Sequence, residues 1–155
     1  MEKLDIKSSY PYPSNMLSNF YPHSFAIDGI ECGSMEGFLQ SLKHRSKEKQ
    51  IKICKLHGIE AKSKGKFKIL WKLTGNVYWQ GKKIKRKSED FSALILRAYC
   101  ELFKNEDFKK ALIDSIDYEL THTIGSHDKR KTVLTEEEFL FCLNYLRKIL
   151  NRQTN

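Results

Sequence analysis

The sequence predicts a compact, mainly α-helical single domain with one short β-hairpin near the N-terminus. Apolar residues recur at helical spacing in five segments, and one short segment alternates apolar and polar residues around an Asp-Gly pair. The chain has 155 residues, of which 40% are hydrophobic and 12% aromatic. That length and composition are enough to enclose a core and exclude a disordered protein. No repeat or linker divides the chain, so we predict one domain over residues 1–155.

The N-terminal part combines irregular structure with the hairpin and the first helix. Residues 1–22 are rich in Tyr, Pro, Ser and Asn, which predicts irregular structure anchored by aromatic side chains. The Asp28-Gly29 pair, flanked by alternating residues, predicts a tight hairpin. Ser34 is then placed to cap a helix that runs to about Ser46.

Four further helices follow from periodicity and capping residues. One is expected over residues 48–57, ending at Gly58. After a glycine-punctuated stretch, Ser88 and Asn105 each precede a periodic segment as N-caps. Thr135 begins a Thr-Glu-Glu-Glu capping box, which predicts the start of the last helix.

Positive charge is concentrated in one part of the chain, which we call the basic segment (residues 61–87). The whole chain has 28 Lys and Arg against 19 Asp and Glu, a formal charge of +9. The basic segment contains no acid and ten basic residues: Lys62, Lys64, Lys66, Lys68, Lys72, Lys82, Lys83, Lys85, Arg86 and Lys87. Because both tryptophans lie among them, the segment favours a nucleotide or nucleic-acid partner. A solvated charged surface or a localisation signal would look similar.

Other classes of protein are less compatible with the sequence. No stretch approaches the roughly 18–20 apolar residues of a membrane helix, and the N-terminus lacks an apolar signal core. We therefore expect a cytoplasmic protein without a membrane partner. The four cysteines lie far apart with no metal-ligand spacing and are expected to be reduced core thiols. His122, His127 and Asp128 hint at a metal, but no third cluster of ligands exists and a polar loop explains them better. We expect no metal and no organic cofactor.

A polar stripe accompanies the apolar face of the helix that begins after Ser34. Glu36, Gln40 and Lys43 are spaced i, i+4 and i+7 and therefore lie on one side of the helix. If this stripe lines a pocket, the carboxylate can exchange protons and the amide can orient a substrate. A desolvated lysine there can attack a carbonyl as a free amine. The alternative is an ordinary solvated helix surface.

Several segments of the chain, in order, resemble the NADAR family, also called YbiA-like. Leu17-Ser18-Asn19-Phe20-Tyr21-Pro22 is similar to its LSNF-type segment, and Ser34–Lys43 is similar to its S-x-E-x-x-x-Q-x-x-K helix. Tyr78-Trp79-Gln80-Gly81 and residues 98–103 look like its second block. Residues 120–125 and 132–139 are similar to the C-terminal block of one subgroup. The resemblance places the core of the domain at about residues 15–150.

The resemblance implies a helical N-glycosidase fold and a guanine-directed activity. Some members cleave ADP-ribose from guanine, which reverses the modification of DNA by ADP-ribosyltransferase toxins, and a lysine is thought to form a Schiff base with the opened ribose. By position in the motif, Lys43 would be that lysine and Glu36 the acid/base. The substrate-binding residues implied by the resemblance are Asn19, Phe20, Gln40, Tyr78, Trp79 and His122. The expected partner is an ADP-ribosylated guanine nucleotide or DNA.

Two alternative functions remain open at this point. Other members cleave phosphoribosylamino-pyrimidine intermediates of the riboflavin pathway, and a catalytically inactive module for ADP-ribose or nucleic acid is a third interpretation. The chain departs from the family at two positions. Thr121 stands where some members carry Glu before the histidine, which weighs against the riboflavin-type reaction. Gly37 stands where many members carry a larger residue.

Overall fold

The computed structural model describes residues 1–153, which form one mixed α/β domain with 48% helix and 13% strand. The helices are α1 (Ser14–Leu17), α2 (Met35–Ser41), α3 (Lys47–Cys54), α4 (Gly58–Gly65), α5 (Leu70–Thr74), α6 (Glu89–Leu102), α7 (Glu106–Asp114) and α8 (Glu136–Gln153). The strands are β1 (Lys3–Asp5), β2 (Phe25–Ile27), β3 (Ile30–Cys32), β4 (Asn76–Trp79), β5 (Lys82–Lys85) and β6 (Glu119–Thr121). The prediction of a mainly helical domain with one hairpin therefore holds only roughly.

The predicted hairpin and helix starts are present in the structure. Strands β2 and β3 pair antiparallel, and Asp28 and Gly29 both have positive φ in the turn between them. Ser34 and Ser88 each accept a hydrogen bond from a backbone N–H in the first turn of α2 and α6. At α8, Thr135 and Glu138 exchange backbone-to-side-chain hydrogen bonds of 2.9 and 3.2 Å, which is the reciprocal geometry of a capping box.

Two segments differ from the sequence prediction. Residues 1–22 are not wholly irregular, because β1 pairs in parallel with β6 and α1 follows it. The partner of β1 lies more than a hundred residues away, so no local pattern reveals the pairing. The basic segment contains α4, α5 and a second antiparallel hairpin, β4–β5, whose turn residues Gln80 and Gly81 have positive φ.

The core lies between α2, α6 and α8 and is closed by the two hairpins. Tyr99, Phe38, Phe91, Phe108 and Phe139 are its largest fully buried side chains. Trp79 of β4 packs edge-on against Phe38, with ring centroids 5.0 Å apart. No helix within residues 1–153 combines the length and the apolar character needed to cross a membrane.

A buried ion pair attaches the basic segment to the last helix. Arg86 is 2% exposed and forms a bidentate pair with Glu138, and its Nε donates to the carbonyl of Thr132 at 3.2 Å. Its guanidinium also lies 4.3 Å from the centre of the Phe91 ring. Burial raises the pKa of Glu138, but the Arg86 and Thr135 hydrogen bonds outweigh it and the pKa is lowered. The contacts of the Arg86 side chain therefore serve to stabilise the fold.

We expect Arg86→Met to reduce the free energy of unfolding by about 3 kcal/mol, because it leaves a mostly buried carboxylate without its partner. Urea unfolding measures the change. Arg97→Met is the matched control, since Arg97 also pairs with a carboxylate, that of Asp28, but with both side chains exposed. The control should cost at most about 1 kcal/mol, and equal losses from the two variants would contradict this assignment.

Candidate active site

Helix α2 carries the predicted polar stripe, and its position is set by a close approach to the end of α3. A Cβ on Gly37 would lie 2.6 Å from the Leu56 carbonyl oxygen and 2.7 Å from that of Cys54. Ser34 Oγ donates to the Leu56 oxygen at 2.7 Å and accepts from Gly37 N at 3.0 Å. Glycine at position 37 therefore allows α2 to lie directly on the C-terminal carbonyls of α3.

The polar stripe of α2 faces a cavity of about 410 Å³. Its wall combines residues from the loop before β2, from α2 and α4, and from the segment between β6 and α8. Six of the predicted site residues line this cavity: Asn19, Phe20, Glu36, Gln40, Lys43 and His122. Residues separated by up to about a hundred positions in the sequence thus meet in one pocket.

Glu36 and Gln40 form a buried acid–amide pair. Each is 9% exposed, so the interpretation of the stripe as a solvated surface is wrong for these two residues. Gln40 Nε2 donates to Glu36 Oε1 at 2.7 Å, while the buried Gln40 Oε1 has no hydrogen-bond partner. Burial raises the pKa of the Glu36 carboxyl, against the opposing effects of Gln40 and nearby lysines. The site therefore holds a carboxyl group that binds a proton more readily than an exposed glutamate does.

Lys43 lies one turn beyond Gln40 and has few partners. Its Nζ is 3.5 Å from the Gly65 carbonyl oxygen and 5.8 Å from the centre of the Trp71 ring. Burial lowers the pKa of Lys43 to about 8, helped by the charges of Lys72 and Lys62 and opposed by Glu36. Within residues 1–153, neither Lys43 nor Glu36 forms a salt bridge. A fraction of Lys43 is consequently a free amine at neutral pH, which is the nucleophilic form.

Asn19 connects the cavity to the core and to α2. Its backbone oxygen accepts a 3.0 Å hydrogen bond from Glu36 N, and its side-chain oxygen accepts a 2.7 Å bond from the Tyr99 hydroxyl. These bonds leave the side-chain NH₂ of Asn19 as a donor for a ligand. Phe20 follows it, with Lys62 Nζ 5.8 Å from the centre of its ring.

His122 is oriented by the pairing of β1 with β6. Its Nδ1 is 2.8 Å from the Ile6 carbonyl oxygen and therefore donates, which leaves Nε2 as the acceptor. The preceding Thr121 faces the other way, and its hydroxyl donates to Asp5 Oδ1 at 3.2 Å. Position 121, where some relatives carry Glu, is thus used to bind β1, and Thr121 does not line the cavity.

The structure does not bring Tyr78 and Trp79 to this cavity. Trp79 is 6% exposed, and its Nε1 donates to Asp28 Oδ2 at 2.8 Å, which joins the two hairpins. Tyr78 borders a separate hollow with Arg45, whose guanidinium lies 5.6 Å from the centre of its ring. Both residues belong to β4 and support the hairpin.

Three residues at or next to the cavity were not predicted from the sequence to be site residues. Lys62 and Lys131 add two cations to its wall. Gly65 lies against the stripe, because a Cβ there would come 1.7 Å from Gln40 Oε1 and 2.9 Å from Lys43 Cδ. In the sequence, nothing distinguishes Lys62 from the other nine basic residues of the basic segment. The run of basic residues that ends at Lys131 is visible in the sequence and could have been used to predict it. Among the described residues, no three His, Cys, Asp or Glu side chains group closely enough to hold a metal ion.

Comparison with known proteins assigns the family. The sequence model of a family described as bacteriophage protein GP30.3 matches residues 11–148. The chain belongs to this NADAR-type family. A member from Enterobacteria phage T4, described as an uncharacterized 17.1 kDa protein in the Gp30–rIII intergenic region, is 38% identical over 152 residues, which are 97% of this chain and 100% of the phage protein.

A solved structure shows the same fold. The NMR structure of E. coli YbiA matches with a TM-score of 0.64 and 14% identity, covering 99% of this chain and 87% of YbiA. At that identity the match establishes a YbiA-like fold. The predicted NADAR, or YbiA-like, assignment is confirmed.

The burial of Lys43 leads to a stability prediction for this GP30.3-family domain. The pKa of Lys43 is about 8 in the folded protein and the ordinary value is 10.5. Between pH 8 and pH 10.5 the unfolded chain therefore binds a proton at Lys43 that the folded protein does not bind, so stability rises with pH over this range. Below pH 8 the charged lysine lowers the stability of the folded protein by its full amount. Lys43→Met keeps the stem and removes the charge. It should raise the free energy of unfolding at pH 7 by about 1–2 kcal/mol after allowance for solvent screening.

Thermal unfolding at pH 7 and pH 10 measures this effect. The gain should shrink at pH 10, where the wild-type amine is neutral in the folded protein. Lys64→Met, at an exposed lysine on α4, is the matched control and should be neutral at both pH values. A Lys43→Met protein that is less stable at pH 7 would contradict the costly burial of this charge.

Proposed function

We propose that this protein is an N-glycosidase that removes ADP-ribose from guanine, with DNA as the expected carrier of that guanine. The observation that supports this proposal is the arrangement on α2 and the turn directly after it, where Glu36, a carboxyl group with a raised pKa, and Lys43, with a pKa of about 8, line one cavity. The family assignment is consistent with a glycosidase-type enzyme. The substrate itself is proposed from the resemblance of the α2 motif and the basic cavity wall.

The reaction begins when the ribose attached to guanine opens. Glu36, in its protonated form, gives its proton to the ribose ring oxygen as the bond from C1 to that oxygen breaks, and C1 becomes doubly bonded to the guanine nitrogen as an iminium ion. The neutral Lys43 amine adds to C1, and the Glu36 carboxylate takes a proton from the resulting Lys43 ammonium. Glu36 passes this proton to the guanine nitrogen, the bond from C1 to that nitrogen breaks, and guanine leaves. This exchange leaves C1 doubly bonded to Lys43 Nζ.

Hydrolysis of that imine completes the cycle. The Glu36 carboxylate takes a proton from a water molecule as the water oxygen adds to C1. Glu36 returns this proton to Nζ, the C1–Nζ bond breaks as C1 becomes doubly bonded to the new oxygen, and the remaining proton of that oxygen passes to Glu36. ADP-ribose leaves in its open form, with Lys43 again a neutral amine and Glu36 again protonated. In this scheme Gln40 holds Glu36 in place, and its unpartnered Oε1 accepts a hydrogen bond from a ribose hydroxyl. The His122 Nε2 acceptor and the Asn19 amide donor are available to the rest of the substrate.

The proposal predicts that the enzyme can be trapped on its substrate. With a guanine-ADP-ribosylated oligonucleotide, the native protein should release ADP-ribose, and borohydride should leave a reduced adduct on Lys43 detectable by peptide mass spectrometry. Lys43→Ala should abolish turnover and adduct. Lys43→Arg, which keeps the charge but forms no imine, should abolish both too, and Glu36→Gln should slow turnover about 10²–10⁴-fold.

The same assay separates the competing interpretations. Turnover by Lys43→Arg, or turnover without an adduct, would contradict the imine route and keep the substrate. Absence of ADP-ribose release by the native protein, together with hydrolysis of a phosphoribosylamino-pyrimidine, would replace the substrate. Binding of the modified oligonucleotide without any turnover, unchanged in Lys43→Ala, would indicate a binding module.

The protonation state of Lys43 should also govern the pH profile. At low substrate concentration the rate should rise at low pH as the Lys43 amine becomes neutral and fall at high pH as Glu36 loses the proton that it donates, because both forms are needed. Lys62→Gln removes a charge that lowers the pKa of both Lys43 and Glu36, so the optimum should move to higher pH. Lys64→Gln is the matched control and should leave the optimum unchanged. A profile without the rise at low pH would contradict the role of the free amine.

A further inference from the structure

A second concave surface, which we call the basic cleft, lies beside the active-site cavity. It has a volume of about 370 Å³ and is formed by α5 with the turn after it, by the end of β5 and by the loop before α8. Its charged lining residues are Lys72, Lys85, Arg86, Lys87, Lys129 and Arg130, and no acidic residue lines it.

Most of this positive charge has no internal counterion. Arg86 is neutralised by Glu138, and Arg130 pairs with Asp128 at 3.1 Å. Among residues 1–153, Lys72, Lys85, Lys87 and Lys129 form no salt bridge, and all four are exposed. Four free ammonium groups around one concavity attract anions and repel cations.

The wall of the cleft also contains an unused hydrogen-bond donor. Trp71 is 2% exposed, and its indole Nε1 is buried without a hydrogen-bond partner among the described residues. Buried N–H groups are almost always paired in folded proteins, so this unpaired donor, in a residue that lines the cleft, is free to take an acceptor from a ligand. An indole N–H only donates, and its complement is an acceptor such as a phosphate oxygen.

The basic cleft adjoins the active-site cavity at Trp71. Lys43 Nζ in the cavity and Lys72 Nζ in the cleft lie 5.8 and 5.9 Å from the centre of the same Trp71 ring. The two concavities also meet along the chain, where Arg130 of the cleft is followed directly by Lys131 of the cavity. They are therefore neighbours on the molecule.

We propose that the basic cleft binds the phosphodiester backbone of a nucleic-acid strand whose guanine nucleotide enters the active-site cavity. This inference rests on the proposed function for the identity of that guanine. It divides the basic segment into three roles: Arg86 holds the fold, Lys62 serves the cavity, and Lys72, Lys85 and Lys87 bind the strand. The substrate is then a modified base within a polymer, and a free nucleotide leaves the cleft empty.

Binding of an unmodified, guanine-containing single-stranded oligonucleotide tests the cleft independently of catalysis. Fluorescence anisotropy at about 50–200 mM salt gives the affinity and its salt dependence. The double variant Lys85→Ala/Lys87→Ala should weaken binding about tenfold and lower the slope of log K against log salt by about 1.4, because each phosphate contact on a single strand contributes about 0.7. The control Lys104→Ala/Lys110→Ala removes the same charge at two exposed lysines outside the cleft and should leave the slope unchanged.

Trp71→Phe gives a second, chemically different test. The substitution keeps a benzene ring and removes the N–H together with the five-membered ring, so affinity should fall about fivefold for the lost hydrogen bond while the salt slope stays constant, because a neutral donor releases no counterion. A circular dichroism spectrum equal to that of the native protein controls for folding. Unchanged affinity in a folded Trp71→Phe protein would remove the indole from the site.

Two outcomes would overturn the proposal. Equal losses of slope in the cleft and control double variants would show that binding depends only on overall charge. A loss of affinity for free ADP-ribose in Lys85→Ala/Lys87→Ala as large as the loss for the oligonucleotide would assign the cleft to the diphosphate of the substrate. Because the probe is unmodified, failure of hydrolysis on ADP-ribosylated guanine would contradict the proposed function alone.

Discussion

The packing of α2 on the end of α3 is the constraint on which the active site depends. The two helices can approach only because position 37 has no side chain, and the approach fixes both the axis and the rotation of α2. Two contacts near the same point lock it, since Gly33 N donates to the Cys54 oxygen at 2.8 Å and Ser34 to that of Leu56. With that rotation set, the apolar residues of α2 enter the core and the Glu36–Gln40–Lys43 stripe faces the cavity.

Helix α4 closes the opposite side of α2 and removes the stripe from solvent. Gly65 lies against Gln40, and His44 Nε2 is 2.9 Å from the Lys64 carbonyl oxygen, so the end of α4 covers the polar stripe. Residues 35–41 are all buried as a result. Glu36 on this buried helix and the half-buried Lys43 just after it form no salt bridge among the described residues, and the Gly65 carbonyl and the Trp71 ring partly compensate the charge of Lys43.

The sequence predicted the features that depend on local chemistry. Ser34, Ser88 and Thr135 cap helices that begin at the next residue, so each marks a helix start in the sequence. The positive φ values at Asp28 and Gly29 suit the tight turn that this pair predicts. The NADAR-like motif located Glu36, Gln40 and Lys43. Features that depend on contacts distant in sequence could not be predicted. The parallel pairing of β1 with β6 orients His122, and the buried Trp79 joins the two hairpins. The β4–β5 turn at Gln80-Gly81 could have been predicted from the sequence, because apolar Val77, Trp79 and Ile84 alternate with polar residues around it.

Electrostatics explains why two separate concavities suit one phosphate-bearing substrate. Burial lowers the pKa of Lys43, and the charges of Lys72 and Lys62 lower it further, so the same cations that attract anions increase the fraction of neutral amine. A phosphate bound directly between them and Lys43 would reverse this effect, since a nearby negative charge stabilises the protonated amine. Catalysis by a free amine therefore requires the phosphates to sit away from Lys43. Trp71 contributes to that separation, because it lines the basic cleft and is not among the residues that line the cavity of Lys43.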